Sequence, residues 1–110
     1  MQNDCEITYS IDEYGNKIET KIIGNKEYVT VWYKNGNKMC KEEYKNGKEE
    51  GKWSGWYGNG DKWYEEEYKD GEREGKWRWY VDGNKMCQEE EYKDGKLITQ
   101  ITHIQMLSKI

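Results

Sequence analysis

Trp32-Tyr33-Lys34-Asn35-Gly36-Asn37-Lys38 returns as Trp56-Tyr57-Gly58-Asn59-Gly60-Asp61-Lys62, and again as Trp79-Tyr80-Val81-Asp82-Gly83-Asn84-Lys85. Each copy is followed by a polar run that ends in a tyrosine and a turn: Glu42-Glu43-Tyr44-Lys45-Asn46-Gly47, Glu66-Glu67-Tyr68-Lys69-Asp70-Gly71 and Glu90-Glu91-Tyr92-Lys93-Asp94-Gly95. Gly51-Lys52-Trp53 and Gly75-Lys76-Trp77 close two of the units. Gly47, Gly71 and Gly95 are spaced 24 positions apart, and Gly36, Gly60 and Gly83 are 24 and then 23 apart. A fixed period of this length marks a repeat architecture, in which one supersecondary unit cannot bury its apolar face without its neighbours.

The unit reads as a β-hairpin. Asn35-Gly36 and Asp82-Gly83 are the dipeptides that a two-residue type I′ turn prefers, because both central residues need positive φ, and Asn59-Gly60 fills the same slot. Flanking Trp, Tyr, Val and Thr suit a pleated, half-buried surface. The stretch from Asn46-Gly47 to Gly51 reads as a longer, charged connection between hairpins. The chain then divides into Ile7–Ile11 with Lys17–Ile23, Tyr28–Tyr33 with Lys38–Tyr44, Trp53–Tyr57 with Lys62–Tyr68, and Trp77–Val81 with Lys85–Tyr92. The third unit has one residue fewer between Trp77 and Trp79 and one more between Lys85 and Tyr92. An added residue either makes a bulge or flips every later side chain, so a bulge within Gln88–Glu91 is predicted.

With Glu-x-Tyr, Asn/Asp-Gly-Lys, Gly-Lys-Trp and Trp-Tyr-x-x-Gly all recurring, the chain resembles the MORN-variant repeats of the bacterial YwqK-type antitoxin family. The likeness is strong over 28–96 and weaker over 7–27, where Tyr14-Gly15-Asn16-Lys17 lacks a tryptophan. It implies a β-repeat fold and an antitoxin or immunity role, in which a toxin's active surface is covered.

At 110 residues the chain is one domain. Residues 7–27 read as an N-terminal cap hairpin, 28–96 as three repeat units and 97–110 as a C-terminal cap. Hydrophobic residues at 34 % and charged residues at 36 % lean toward disorder, but 15 % aromatic residues in strict repeat argue for a thin aromatic core. The fold class is therefore all-β, a twisted single-layer antiparallel sheet of about four hairpins. Leu97, Ile98, Ile101, Ile104, Leu107 and Ile110 recur at spacings that favour a short helix covering the last sheet edge. The alternatives are a strand leading into a helix, or a dimer or partner contact.

Net charge is −4, which does not favour steering toward nucleic acid or anionic lipid. No apolar run approaches the ~20 residues of a membrane span. The start, Met1-Gln2-Asn3-Asp4-Cys5, lacks the pattern of a signal peptide, so a cytoplasmic location is expected. Cys40 and Cys87 read as one repeat position, with Tyr64 in the slot between, and as small buried residues rather than a disulfide or zinc site.

Glu42-Glu43, Glu65-Glu66-Glu67 and Glu89-Glu90-Glu91 recur once per unit and should line up across the sheet. They read either as a solvated face relieved by Lys38, Lys41, Lys62 and Lys85, or as a negative surface for a basic protein. In the second strands Cys40, Glu42 and Tyr44 share a face, opposite Lys41 and Glu43, and Tyr64, Glu66 and Tyr68 oppose Trp63, Glu65 and Glu67. The tryptophans are core or an exposed strip of the kind that dominates interfaces. His103 has no nucleophile partner, adjacent glutamates point to opposite faces, and no phosphate-binding glycine loop is present. The prediction is a non-catalytic protein-binding module without metal or cofactor. Its partner would be a basic protein, and its contact residues Glu42, Glu43, Glu65, Glu66, Glu67, Glu89, Glu90, Tyr44, Trp63 and Tyr68. A self-associating scaffold, joined through 97–110 or the sheet edges, and a lipid- or carbohydrate-binding aromatic repeat are the alternatives.

Overall fold

The structure, a computed structural model, describes residues 5–102. Its strands are β1 (Cys5–Ile11), β2 (Lys17–Ile23), β3 (Lys26–Trp32), β4 (Lys38–Lys45), β5 (Lys48–Glu49), β6 (Gly51–Trp56), β7 (Lys62–Lys69), β8 (Glu72–Arg73), β9 (Gly75–Val81), β10 (Lys85–Lys93) and β11 (Lys96–Thr102). They form one open sheet in the order β1-β2-β3-β4-β6-β7-β9-β10-β11, with β5 paired to β4 and β8 to β7. Every ladder is antiparallel. The body measures 56 × 36 × 20 Å, and the described residues make a single layer with no second sheet behind it. Trp77 and Tyr92, 3 % and 8 % exposed, are the buried hydrophobic side chains among the described residues.

The turns divide their roles in the reverse of the predicted way. Asn46-Gly47, Asp70-Gly71 and Asp94-Gly95 have positive φ at both residues, the signature of a type I′ turn, and they join one repeat unit to the next. At Gly15, Gly36 and Gly60 only the glycine is left-handed. There the chain makes a wider loop, with the Tyr33 carbonyl accepting from Gly36 N–H and Tyr33 N–H donating to the Asn37 carbonyl. In the third unit the left-handed pair is Gly83-Asn84, not Asp82-Gly83. Identical dipeptides thus serve different turns, because strand register decides how many residues are left to close each one.

That register contains a bulge in each of the three later hairpins, whereas β1 and β2 pair without one. Between β3 and β4, Val31 faces Cys40 and Trp32 faces Lys38, leaving Met39 unpaired. Between β6 and β7, Gly55 faces Tyr64 and Trp56 faces Lys62, leaving Trp63. Between β9 and β10, Met86 faces Tyr80 and Gln88 faces Trp79, leaving Cys87. The bulge facing β9 therefore sits at Cys87, just before the predicted Gln88–Glu91. Toward β11 the register shifts again between Glu91 and Tyr92, where Ile98 is the extra residue.

The bulge corrects the repeat alignment. Cys40, Tyr64 and Gln88 are equivalent, and Cys87 shares its place with Met39 and Trp63, not with Cys40. Trp79 takes the place of Gly55, not of Trp56. The reason is space. Within the hairpins the facing pairs are Val31 with Cys40, Gly55 with Tyr64, and Trp79 with Gln88, so each larger side chain meets a small or slender one inside its own unit, while Tyr64 meets Trp79 across the junction. A Cβ on Gly55 would come within 2.1 Å of the Tyr64 ring, so only glycine fits there.

The predicted helix over 97–110 is a strand as far as Thr102; residues 103–110 lie outside the described residues. The unpaired edge of β10 offers hydrogen bonds that the β-branched Ile and Thr of this segment take up readily, and that outweighs the helical spacing. The segment forms the last edge instead of covering it. Among the described residues, no helix is long and apolar enough to cross a membrane.

Candidate binding surface

Alternation gives the sheet two unlike faces. On the first, here the aromatic face, Ser10, Ile18, Val31, Cys40, Gly55, Tyr64, Trp79 and Gln88 make one row across the strands. The next row alternates acid and indole, with Trp53 facing Glu66 and Trp77 facing Glu90, and Glu42 on the far side of Trp53. A third row carries Tyr44, Tyr68 and Tyr92, with Glu49 paired to Tyr44 and Arg73 to Tyr68.

The last two rows interlock. Ring centroids run Tyr44 to Trp53 at 5.2 Å, Trp53 to Tyr68 at 5.0 Å, Tyr68 to Trp77 at 5.1 Å and Trp77 to Tyr92 at 5.4 Å. These tilted and edge-on geometries are the favoured ones for aromatic pairs. Gly-Lys-Trp makes the ladder possible. Gly51 and Gly75, at φ +67° and +65°, bend the strand, and a Cβ there would meet the Glu43 or Glu67 carboxylate at 2.7 or 2.8 Å. The bend lets the Trp53 indole N–H donate to the Glu43 carbonyl at 3.1 Å, and Trp77 to that of Glu67 at 3.0 Å.

Other repeated residues tie unit to unit. The Tyr33 hydroxyl donates to the Trp56 carbonyl at 2.6 Å and that of Tyr57 to the Tyr80 carbonyl at 2.8 Å. Glu50 accepts from Asp70 N–H and Glu74 from Asp94 N–H. Of the motif residues, Tyr33, Tyr57, Gly51, Gly75, Trp53 and Trp77 are accounted for by these ties.

On the opposite, charged face, acids on second strands meet bases on first strands. Lys52 faces Glu67, Lys76 faces Glu91 and Arg78 faces both Glu65 and Glu89. Arg78 Nε donates to Glu89 at 2.7 Å, Lys62 pairs with Glu65 at 3.2 Å and Lys26 with Glu43 at 4.0 Å. Trp32 and Trp56 also lie here, under the ammonium groups of Lys17 and of Lys38 and Lys62.

The predicted contact residues are therefore divided between the faces. Glu42, Glu66, Glu90, Tyr44 and Tyr68 gather on the aromatic face, while Glu43, Glu65, Glu67 and Glu89 stand on the charged face beside bases. Trp63, in its bulge and 43 % exposed, stacks on Tyr57 and packs edge-on to Tyr64. The acids of the aromatic face have a different environment. Glu42 accepts from the Tyr44 hydroxyl, and Glu90 from the Tyr92 hydroxyl and from Gln88 and Gln100. Burial, reinforced by Glu42, raises the Glu66 carboxyl above the usual range despite Arg73 nearby. Burial and then Glu42 push the Cys40 thiol up to about 11, so it stays a thiol at neutral pH. Burial and surrounding glutamates likewise raise Tyr44, Tyr64 and Tyr68.

Such a face can hold cations: it offers indole and phenol rings beside carboxylates that lack a full set of bases. Among the described residues no group of three or more His, Cys, Asp and Glu is placed to hold a metal ion. Sequence reasoning missed two residues that shape the surface, Glu49 and Arg73, and read Trp53 only as one of the tryptophans of a core or an exposed strip. The available signal was the alignment of Lys48-Glu49-Glu50-Gly51 with Glu72-Arg73-Glu74-Gly75.

No protein-family model, no curated protein and no solved structure matches this chain.

Proposed function

We propose that the chain is a non-catalytic protein-binding module of the antitoxin or immunity type, whose aromatic face covers the active surface of a basic protein such as a nuclease toxin. One observation carries this reading: the glutamates of the aromatic face lie in an uncovered aromatic layer, whereas those of the charged face are matched by bases on adjacent strands. Acid beside half-buried Tyr and Trp is what a basic partner selects, through charge for encounter and aromatic area for retention. The repeat's resemblance to YwqK-type antitoxins points to the same role.

The test is a pull-down from the native source with two charge-reversed variants. Glu42→Lys with Glu66→Lys should lose a basic partner whose capture weakens with salt, and Glu65→Lys with Glu67→Lys should keep it. Equal loss in both variants, or no partner with the unaltered protein, would overturn the reading.

A second reading is favoured by the edges. Ile7, Ile11, Leu97, Ile98 and Ile101, 43–65 % exposed, lie on β1 and β11, which end the strand order among the described residues and are each paired on one side only. Exposed apolar edge strands template further pairing, which supports a self-associating scaffold. Its mark would be a sedimentation coefficient that rises with concentration and is insensitive to salt.

A further inference from the structure

The aromatic face contains the same cradle twice, and in one copy the chain fills it. Tyr68, Trp77 and Tyr92 enclose Arg73, whose guanidinium carbon lies 4.4 Å from the Trp77 ring centre and 5.2 Å from that of Tyr92. Arg73 also donates to the Tyr92 hydroxyl at 2.8 Å, and its charge acts on Glu66. Trp77 beneath it is only 3 % exposed.

The neighbouring step, Tyr44–Trp53–Tyr68, has the same ring spacings and the same indole tie to a backbone carbonyl. Its register is also the same, for Glu49 pairs with Tyr44 as Arg73 pairs with Tyr68. Yet the residue in the arginine position is a glutamate. Burial raises both the Tyr44 and Tyr68 hydroxyls; Glu42 and Glu49 add to it at Tyr44, and Glu66, Glu49 and Glu42 add to it at Tyr68 against Arg73, while Trp53 is half-buried where Trp77 is buried. One cradle is thus closed by its own cation, while the other has reversed charge and a less buried indole.

We propose that the Tyr44–Trp53–Tyr68 step seats an arginine side chain of the protein partner, in the manner in which Arg73 sits on Trp77 and Tyr92. The proposal rests on the reading of this face as a protein-binding surface. Arginine is selected over lysine because a planar guanidinium stacks on an indole while its N–H groups reach flanking carboxylates; an ammonium is a point charge that holds its water more tightly. Glu42 and Glu66 flank the seat and Glu49 closes its lower side.

The probe is a capped peptide carrying one arginine among small neutral residues, with lysine and citrulline counterparts. It is titrated against the full chain while the Trp53 indole N–H resonance is followed. The arginine peptide should give a saturable shift, the lysine peptide should bind several-fold more weakly, and citrulline should give none. Glu49→Arg, which recreates the occupied cradle, should weaken arginine-peptide binding about tenfold or more. Glu72→Arg, exposed on the other face and equal in charge change, should leave it intact. Because the chain already carries arginine at the equivalent position, Glu49→Arg should fold, with unfolding midpoint and dispersed amide resonances as the check.

A mixed Arg/Lys polypeptide separates the two levels of failure. Suppose it binds with salt dependence and Glu42→Lys with Glu66→Lys abolishes that binding. If the arginine peptide then gives no saturable shift, or binds no better than lysine, or binds Glu49→Arg unchanged, the seat is wrong while the binding face stands. If neither the polypeptide nor the peptide binds, both are wrong.

Discussion

Glu65 and Glu66 are neighbours in β7 and have opposite fates. Burial raises the Glu65 carboxyl, but the Tyr80 hydroxyl, at 2.7 Å, and Lys62 outweigh it, so the group lies below its usual range. Glu66 faces the other way, between two indoles and toward Glu42, and burial carries it above that range. A single residue of alternation separates a matched charge from an unmatched one. The same acidic run therefore builds a self-neutralised lattice on one side of the sheet and an aromatic surface with unmatched acid on the other. A sheet with no second layer must draw its stability from such lateral packing, and the three sharpest tests act on the aromatic side.

The largest effect is expected at the end of the ladder. Trp77→Ala removes the most buried side chain and should cost ~3–5 kcal/mol, whereas Trp53→Ala, on the open step, should cost ~2 kcal/mol or less. Chemical denaturation monitored by far-ultraviolet circular dichroism measures both. Equal costs would mean that Arg73 adds nothing over Trp77.

Next comes the closest packing. Gly55→Ala should cost ~1–3 kcal/mol, because the new methyl group meets the Tyr64 ring, while Gly58→Ala, with open space around it, should be nearly neutral. A neutral Gly55→Ala, by thermal melt, would show that the Tyr64 ring moves aside and that the aromatic face is loosely packed.

Much of this architecture is legible in the residues. The period, the hairpins, the two-sided alternation of β4 and β7 and the single layer all follow from the spacing of glycine and aromatic positions. Turn assignment does not, because Asn35-Gly36 and Asn46-Gly47 are the same dipeptide in different registers. Register is a matter of contacts between strands, such as Tyr64 over Gly55 in the second unit. The strand at Lys96–Thr102 escapes a local reading for a similar reason, since an unpaired edge outweighs helical spacing. The acids were visible as runs, but pairing them required knowing that Lys52, Lys76 and Arg78 fall opposite Glu67, Glu91 and Glu89. Glu49 and Arg73 stand at one repeat position with opposite charge, and that substitution carries meaning only once the rings beside it are in place.

The smallest effect bears most directly on the two faces, and its sign is the test. Glu66 has a folded value raised above its ordinary 4.5, so the folded chain holds that proton more tightly than the unfolded one. Its contribution favours folding in acid and is lost as pH rises through the window from 4.5 to the raised value. Glu65 has a lowered folded value, so its contribution is present above 4.5 and is lost as pH falls through the folded value. Near pH 7, Glu66→Gln should therefore raise the melting temperature and Glu65→Gln should lower it, each by no more than about 1 kcal/mol for these partly exposed groups. At about pH 3.5 the Glu66 difference should vanish, because the carboxyl is by then protonated and as neutral as the amide, and the Glu65 difference should shrink. Melts of the two variants at both pH values are enough. If Glu66→Gln destabilises at pH 7, the aromatic face has found a partner for its carboxylate and is no longer a surface in want of a cation.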